Sequence, residues 1–508
     1  MITLALVVVC AVGGGGVERA CALPPVPSLG EGDAAPRPKV LLIGVDGVRV
    51  EAFWAADVPN MKGLMEAGCW TDEASTDQHT ISGAGWSNIL TGVWPEKHGS
   101  PDNKFKYVRY DQYPHFFARL REKRPGLKLG HFVSWPPIDQ YILNQNVVEW
   151  RFSADNEKEN GDIRATIEAE KCLREGDPDV VFYYQGDVDT SGHKTGFSRY
   201  SPEYMAELTD TDANVGRVLA AMKGRKSFAD EDWLVILTCD HGGTLDKSHG
   251  RNEAIHRTIM FTAAGSKTAH GKLWRAVSQV DVAATAFDHL GMTPDAAWDW
   301  DGRPCVAPVK IKLGENLLEN AGGEWASGAD DERTNLNIPC WRDWESMTVV
   351  NYERGPGVAM PRIGGNGGGR GYFCGGAQQR SEISQVVDVA GLAADVDGGK
   401  LAVEIGGWFG GVGERTDLAY LEAAFLDEHG GVLGTVRAGP VTLAERREAF
   451  GAREEGLSGM LEREVKQDVP RGTRRIRVKL VAEGSGGGVN EGCADYVRCV
   501  VERRITGQ

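Results

Sequence analysis

The stretch WLVILTCDHGG, from Trp233 to Gly243, is an unbroken apolar run that stops at a carboxylate, an imidazole and two glycines. A short β-rich run with no polar alternation is a strand buried on both faces, the condition of a parallel sheet covered by helices. Similar runs occur at KVLLIGV (Lys39–Val45), LKLGHFV (Leu127–Val133), DVVFYYQ (Asp179–Gln185) and TIMFTAA (Thr258–Ala264). Between them lie helical stretches from Ile163 to Leu173 and from Tyr204 to Met222; in the second, Leu208, Val215, Leu219 and Met222 recur at near-helical spacing. This alternation over Lys39 to about Val306 predicts an α/β fold with a mainly parallel sheet and helices on both faces. Ligands in such sheets bind where loops leave the carboxyl ends of strands. Asp240 and His241 stand there, while Cys239, inside the apolar run, reads as a buried thiol.

The whole chain has 508 residues, 41% hydrophobic and 25% charged. That balance excludes disordered, collagenous and coiled-coil chains, and the length suggests about two or three domains. A net charge of −16, with no Lys/Arg run, argues against a nucleic-acid scaffold as partner. A small anionic substrate remains compatible if local cations neutralise it. Residues 2–12 (ITLALVVVCAV) and the small-residue site Ala20-Cys21-Ala22 predict a signal peptide over 1–22, hence a secreted or periplasmic protein with no transmembrane segment once mature. No Lys or Arg precedes the apolar run, which leaves an uncleaved anchor as the alternative. A Pro-containing linker follows over 23–38. Removing residues 1–22 leaves eight cysteines, compatible with disulfides, although their wide spacing gives no framework.

Beyond about Lys312 the texture changes to glycine-rich loops between alternating runs such as KLAVEIGGWF, AYLEAAFLD and RRIRVKLVAE. Period-two alternation with turn residues between runs predicts an all-β sandwich. The boundaries expected are 39–310 for the α/β domain and 311–508 for the sandwich. The glycine-rich pieces lack the strand, loop and helix context of a phosphate-binding loop. Trp341, Trp344 and Trp408 could stack on sugar rings, with core packing the plainer expectation for each.

Two further strand tips and two loop motifs bear on chemistry. Gly44-Val45-Asp46-Gly47 ends the first strand. Gly186-Asp187-Val188-Asp189-Thr190-Ser191-Gly192-His193 follows DVVFYYQ as a glycine-containing loop in which Asp189 and His193 can converge on a cation. Ser248-His249-Gly250 follows soon after Asp240-His241. A serine, Ser82 in His79-Thr80-Ile81-Ser82-Gly83-Ala84-Gly85-Trp86, opens a helix beside free backbone N–H groups, suiting it to attack phosphorus. Each motif alone reads as capping or solvation; together they point to metal binding.

These motifs, in this order, resemble the alkaline phosphatase superfamily, specifically its type I phosphodiesterase/nucleotide pyrophosphatase family. The resemblance rests on GVDGVR, TISGAGWSNILTGVWPEKHG, DVDTSGH, TCDHGG and SHG, and on a late helix from Val280 to Leu290. It implies an alkaline-phosphatase-like fold and two divalent cations, usually zinc. One would be held by Asp46, Asp240, His241 and the Ser82 oxygen, the other by Asp189, His193 and His249. Register counted back from Thr91-Gly92 places Ser82 at the nucleophile, with Thr80 as alternative; His256 is the alternative to His249. It implies a hydrolase of phosphate esters acting through a covalent phosphoseryl intermediate, with Asn103 facing the substrate. Where many diesterases carry an asparagine, this chain has Gly85, so oxyanion stabilisation must come from elsewhere.

Phosphomonoesterase is the rival reading. An arylsulfatase is disfavoured by the missing Cys-x-Pro-x-Arg signature, and a glycan-binding protein with an inactive hydrolase domain is the alternative of a different class. The second half loosely resembles carbohydrate-binding-module-like sandwiches, from Asn316-Leu317-Leu318-Glu319-Asn320 to Ala494-Asp495-Tyr496. That implies a possible glycan or cell-surface contact and a possible structural Ca2+ to which Asp495 or Glu319 could contribute.

Overall fold

The computed structural model describes residues 35–144, 146–326, 328–332, 337–343, 347–353, 362–363, 366–367, 369–451, 457–486 and 488–504. The signal-peptide region 1–22, most of the linker, and Trp344 lie outside the described residues.

Eight strands build the first sheet: β1 (Arg37–Val45), β2 (Cys69–Ser75), β3 (Leu129–Val133), β4 (Trp150–Ser153), β5 (Val180–Gln185), β6 (Glu231–Thr238), β7 (Thr258–Ala264) and β8 (Gly271–Lys272), in the spatial order β4-β3-β5-β1-β6-β7-β2-β8. The central strands are parallel, and β7 runs antiparallel to both β6 and β2. Val40 to Ile43 are at most 1% exposed, so side chains on both faces of β1 are covered, each removing about 1.5–3 kcal/mol of apolar surface from water. Register then fixes the chemistry: Val45 pairs with Gln185 and Gly44 with Thr238. The residues that follow β1, β5 and β6 therefore emerge side by side at one edge.

Helices Gly161–Glu175, Pro202–Lys223 and Asp281–His289 match the expected helical stretches. The expected loop after β5 is instead a helix, Asp187–Thr195. Its turn-forming residues are overridden by Asp162, whose carboxylate oxygens accept the N–H groups of Gly186 (2.8 Å) and Asp187 (3.0 Å) and so satisfy the helix's first donors.

The second half is antiparallel. It comprises β9 (Arg342–Asp343), β10 (Thr348–Asn351), a short ribbon of β11 (Arg362–Ile363) and β12 (Asn366–Gly367), β13 (Gly371–Gly376), β14 (Arg380–Asp388), β15 (Leu401–Gly411), β16 (Leu418–Leu426), β17 (Val432–Ala438), β18 (Gly459–Asp468), β19 (Arg475–Glu483) and β20 (Asn490–Arg503). Two five-stranded sheets result, β10-β13-β20-β15-β18 and β17-β16-β19-β14-β9. Their facing side chains, among them Phe373, Ile405, Phe409, Leu421 and Leu480, form one core. Trp341 belongs to that core and donates its indole N–H to Asn320 O; Trp408 is half-buried against a small outer cluster that contains Val350, Tyr372 and Met460.

Glu319 does not stand ready for a cation, because both its oxygens accept from Arg275 across the two halves, at 3.0 and 2.8 Å. Asp495 is buried and bonded to the Tyr352 hydroxyl and the Tyr496 N–H. The eight cysteines among the described residues are all unpaired. No helix among the described residues is long and apolar enough to cross a membrane.

Candidate metal-dependent active site

Asp46 follows β1 directly. A Cβ on Gly44 would lie 2.4 Å from the Trp86 ring, so glycine there makes room for the indole that donates to Asp46 Oδ2 (2.8 Å). The Tyr184 hydroxyl, from β5, donates to the same oxygen at 2.6 Å. Oδ2 is thus doubly held, while Oδ1 is buried with no hydrogen-bond partner. Asp240 shows the same division: Oδ1 accepts the Gly47 N–H at 3.0 Å, and Oδ2 is buried without a partner. Asp189 Oδ1 is a third such atom. Buried carboxylate oxygens left unsatisfied are costly, and three in one place call for positive charge.

The histidines supply the complementary half. His241 Nδ1 bonds to Gly242 O (3.0 Å), His249 Nδ1 to Thr80 O (2.8 Å) and His193 Nδ1 to Lys247 O (3.1 Å). A carbonyl only accepts, so each Nδ1 carries the hydrogen and each Nε2 offers a lone pair, as in imidazoles oriented to bind metal. His193 Nε2 and His249 Nε2 face one another at 3.0 Å, with Asp189 Oδ2 3.5 Å from the first and Oδ1 3.7 Å from the second. His241 Nε2 lies 3.1 Å from Asp240 Oδ2 and 3.6 Å from Asp46 Oδ1.

The ligand atoms of Asp189, His193 and His249 all fall within 4.8 Å of one another, as do those of Asp46, Asp189 and His241. Burial holds His241 down to about 4 and His249 down to about 2, keeping both imidazoles neutral. Burial, followed by the nearby Asp46 charge, pushes the Asp189 and Asp240 carboxyls well above the usual range. Neutral imidazoles beside carboxylates starved of solvation are the donor set that zinc accepts. The residues present fit two cations.

Ser82 opens the helix Ser82–Thr91, with its Oγ 3.3 Å from His241 Nε2. Thr80, the alternative, turns its hydroxyl to Arg251 O at 3.0 Å. His256 is outside both clusters, its Nδ1 accepting the Arg251 N–H at 3.3 Å. Asn103 Oδ1 accepts the Gly83 N–H at 2.7 Å, which anchors the side-chain amide next to the helix that Ser82 opens. At Gly85 a Cβ would stand 2.8 Å from Asp240 Cβ and 3.1 Å from Asp240 O. No side chain fits there, which accounts for the missing asparagine.

A cavity of about 390 Å3 opens over Asp46, Ser82, Asp189 and His193, walled also by Trp135, Asn156 and Lys194. Sequence reading did not single out these wall residues, nor Trp86 and Tyr184. The available signal was chemical: a buried Trp N–H or Tyr O–H needs a partner.

Residues 40–259 match the model of the family described as Type I phosphodiesterase / nucleotide pyrophosphatase. The chain is 26% identical over 243 residues to human ectonucleotide pyrophosphatase/phosphodiesterase family member 7, covering 44% of this chain and 52% of that protein. It is 24% identical over 218 residues to bis(5'-adenosyl)-triphosphatase enpp4 of Xenopus laevis, covering 40% and 47%. The chain spans about half the length of these curated relatives. Among solved structures, murine ectonucleotide pyrophosphatase / phosphodiesterase 5 is similar at 14% identity and a TM-score of 0.41, over 50% of this chain and 95% of that one.

Proposed function

We propose that the chain is an exported, metal-dependent phosphodiesterase in which Ser82 is the nucleophile, with Asp46, Asp240, His241 and Ser82 around one cation and Asp189, His193 and His249 around the other. The observation that carries this reading is the convergence of three Nε2 lone pairs and three unpartnered carboxylate oxygens beside a serine hydroxyl. Bound zinc would neutralise the phosphate and favour the deprotonated serine.

Ser82 Oγ attacks phosphorus in line, expelling the alcohol and leaving a phosphoryl ester on the serine. Asn103, its oxygen fixed on the Gly83 N–H, turns its Nδ2 hydrogens to the nonbridging oxygen. Water then displaces Ser82, and two in-line steps give net retention at phosphorus. Among the described residues lining the cavity, Lys194 is the cationic side chain and no arginine is present. The absence of an arginine fork favours a diester over the dianionic monoester. The names of the ectonucleotide relatives support action outside the cytoplasm.

The test is turnover of a bis(aryl) phosphate diester against the aryl monoester by the zinc-supplied chain, with a chelator control. Diester preference abolished by chelation is expected. Ser82→Ala should keep its zinc and lose about 10³-fold or more in kcat. Monoester preference would move the enzyme among the phosphatases, and undiminished Ser82→Ala turnover would remove the serine from the mechanism.

A further inference from the structure

In the sheet β10-β13-β20-β15-β18, Cys374 of β13 stands directly opposite Cys493 of β20. Residues facing each other across an antiparallel ladder have Cα atoms about 4.5–5.5 Å apart, inside the about 4.4–6.8 Å that a disulfide spans. Their flanking partners Phe373 and Ala494 enter the sandwich core. The two cysteines therefore point to the other face, into a small buried cluster with Val350, Tyr372 and Met460. Both are 0% exposed. Their hydrogen-bond partners are backbone carbonyls, Asn490 O at 3.5 Å for Cys374 and Glu491 O at 3.2 Å for Cys493. A bulge between Cys374 and Gly376 gives the ladder local freedom to close.

We propose that Cys374 and Cys493 are a cross-strand oxidation site, joined as a disulfide when the chain folds with a low-molecular-weight disulfide as oxidant. One thiolate attacks a sulfur of that disulfide and expels a thiolate, leaving a mixed disulfide on the protein. The second cysteine attacks the protein-bound sulfur and expels the other. In sum, two protein thiols and one external disulfide become one protein disulfide and two external thiols, which carry away the two protons.

Contact with Cys374 and burial push the Cys493 thiol up, so exchange belongs to the stage before this face is covered. Once formed, the bond is shielded from reductant. It fastens β20, the strand between β13 and β15, across a long loop, where a crosslink restricts the unfolded chain most. Among the described residues no other two cysteines oppose one another on paired strands.

The full chain, reduced in denaturant, is refolded with a mixture of oxidised and reduced glutathione, alkylated under denaturing conditions and mapped by mass spectrometry. The expected product is a crosslinked peptide pair containing Cys374 and Cys493, two hydrogens lighter than the reduced pair. Cys69, Cys172, Cys239, Cys305, Cys340 and Cys499 should all be alkylated. The melting midpoint should rise by about 5–10 °C over the reduced chain, and that gain should vanish in the double variant Cys374→Ser/Cys493→Ser. Folded product with both cysteines alkylated, or either one linked elsewhere, would overturn the proposal, as would an oxidant-dependent gain that persists in the double variant.

Discussion

Replacing Gly85 by alanine tests how tightly the helix that carries the proposed nucleophile is fitted to the strand tip that carries Asp240. The new Cβ would start 2.8 Å from Asp240 Cβ. Carbon atoms settle at about 3.5 Å or more, so the helix or the aspartate must yield by roughly 0.7 Å. Catalytic groups tolerate about 0.5 Å, and a misplacement of about 1 Å costs about 100-fold. Gly85→Ala should therefore lower kcat/KM on a diester about 30- to 100-fold, with an overpacking cost of about 1–3 kcal/mol. Gly126→Ala is the control, because a Cβ there meets nothing within 4 Å. Steady-state kinetics and zinc titration on the three proteins decide it. Parental turnover and zinc affinity in Gly85→Ala would refute the fit between helix and strand tip.

Tyr184→Phe removes the 2.6 Å donor to Asp46 Oδ2 and should weaken zinc about 10- to 100-fold without unfolding the chain, read by calorimetry. Chelator treatment should lower the melting midpoint, and zinc at about 100 times its Kd should restore about 2.7 kcal/mol; an unchanged midpoint would count against a preformed site. Burial pushes the Asp139 carboxyl up, but His131 at 2.7 Å and Arg151 at 2.5 and 2.8 Å outweigh it and hold the group at about 2. Its native value lies below its ordinary 3.8, so its stabilisation is complete above pH 3.8 and is lost as pH falls through about 2. Melts of Asp139→Asn should accordingly show a shallower decline than the parent's between pH 4 and pH 2.

The apolar runs were legible because a strand buried on both faces has no alternative to continuous hydrophobicity, and the residues after each run mark the edge where carboxylates and imidazoles gather. Asp46, Asp189, Asp240 and His241 could be read in this way. Cys69–Ser75, sequence CWTDEAS, could not, because β2 lies towards the sheet's edge and alternates. The helix Asp187–Thr195 was hidden for another reason: the carboxylate that satisfies its first N–H groups comes from Asp162, more than twenty residues earlier. The roles of Trp86 and Tyr184 depend on which of their neighbours is an aspartate, and the pairing of Cys374 with Cys493 depends on strand register. Neither is local information.

The most direct test of the two-cation site is calorimetric zinc titration of the chelator-treated chain beside His241→Ala and His249→Ala. Two tightly bound ions per chain, reduced to one in each variant, is the predicted result. A parental chain that binds no zinc at micromolar concentration, or variants that bind as it does, would contradict the account.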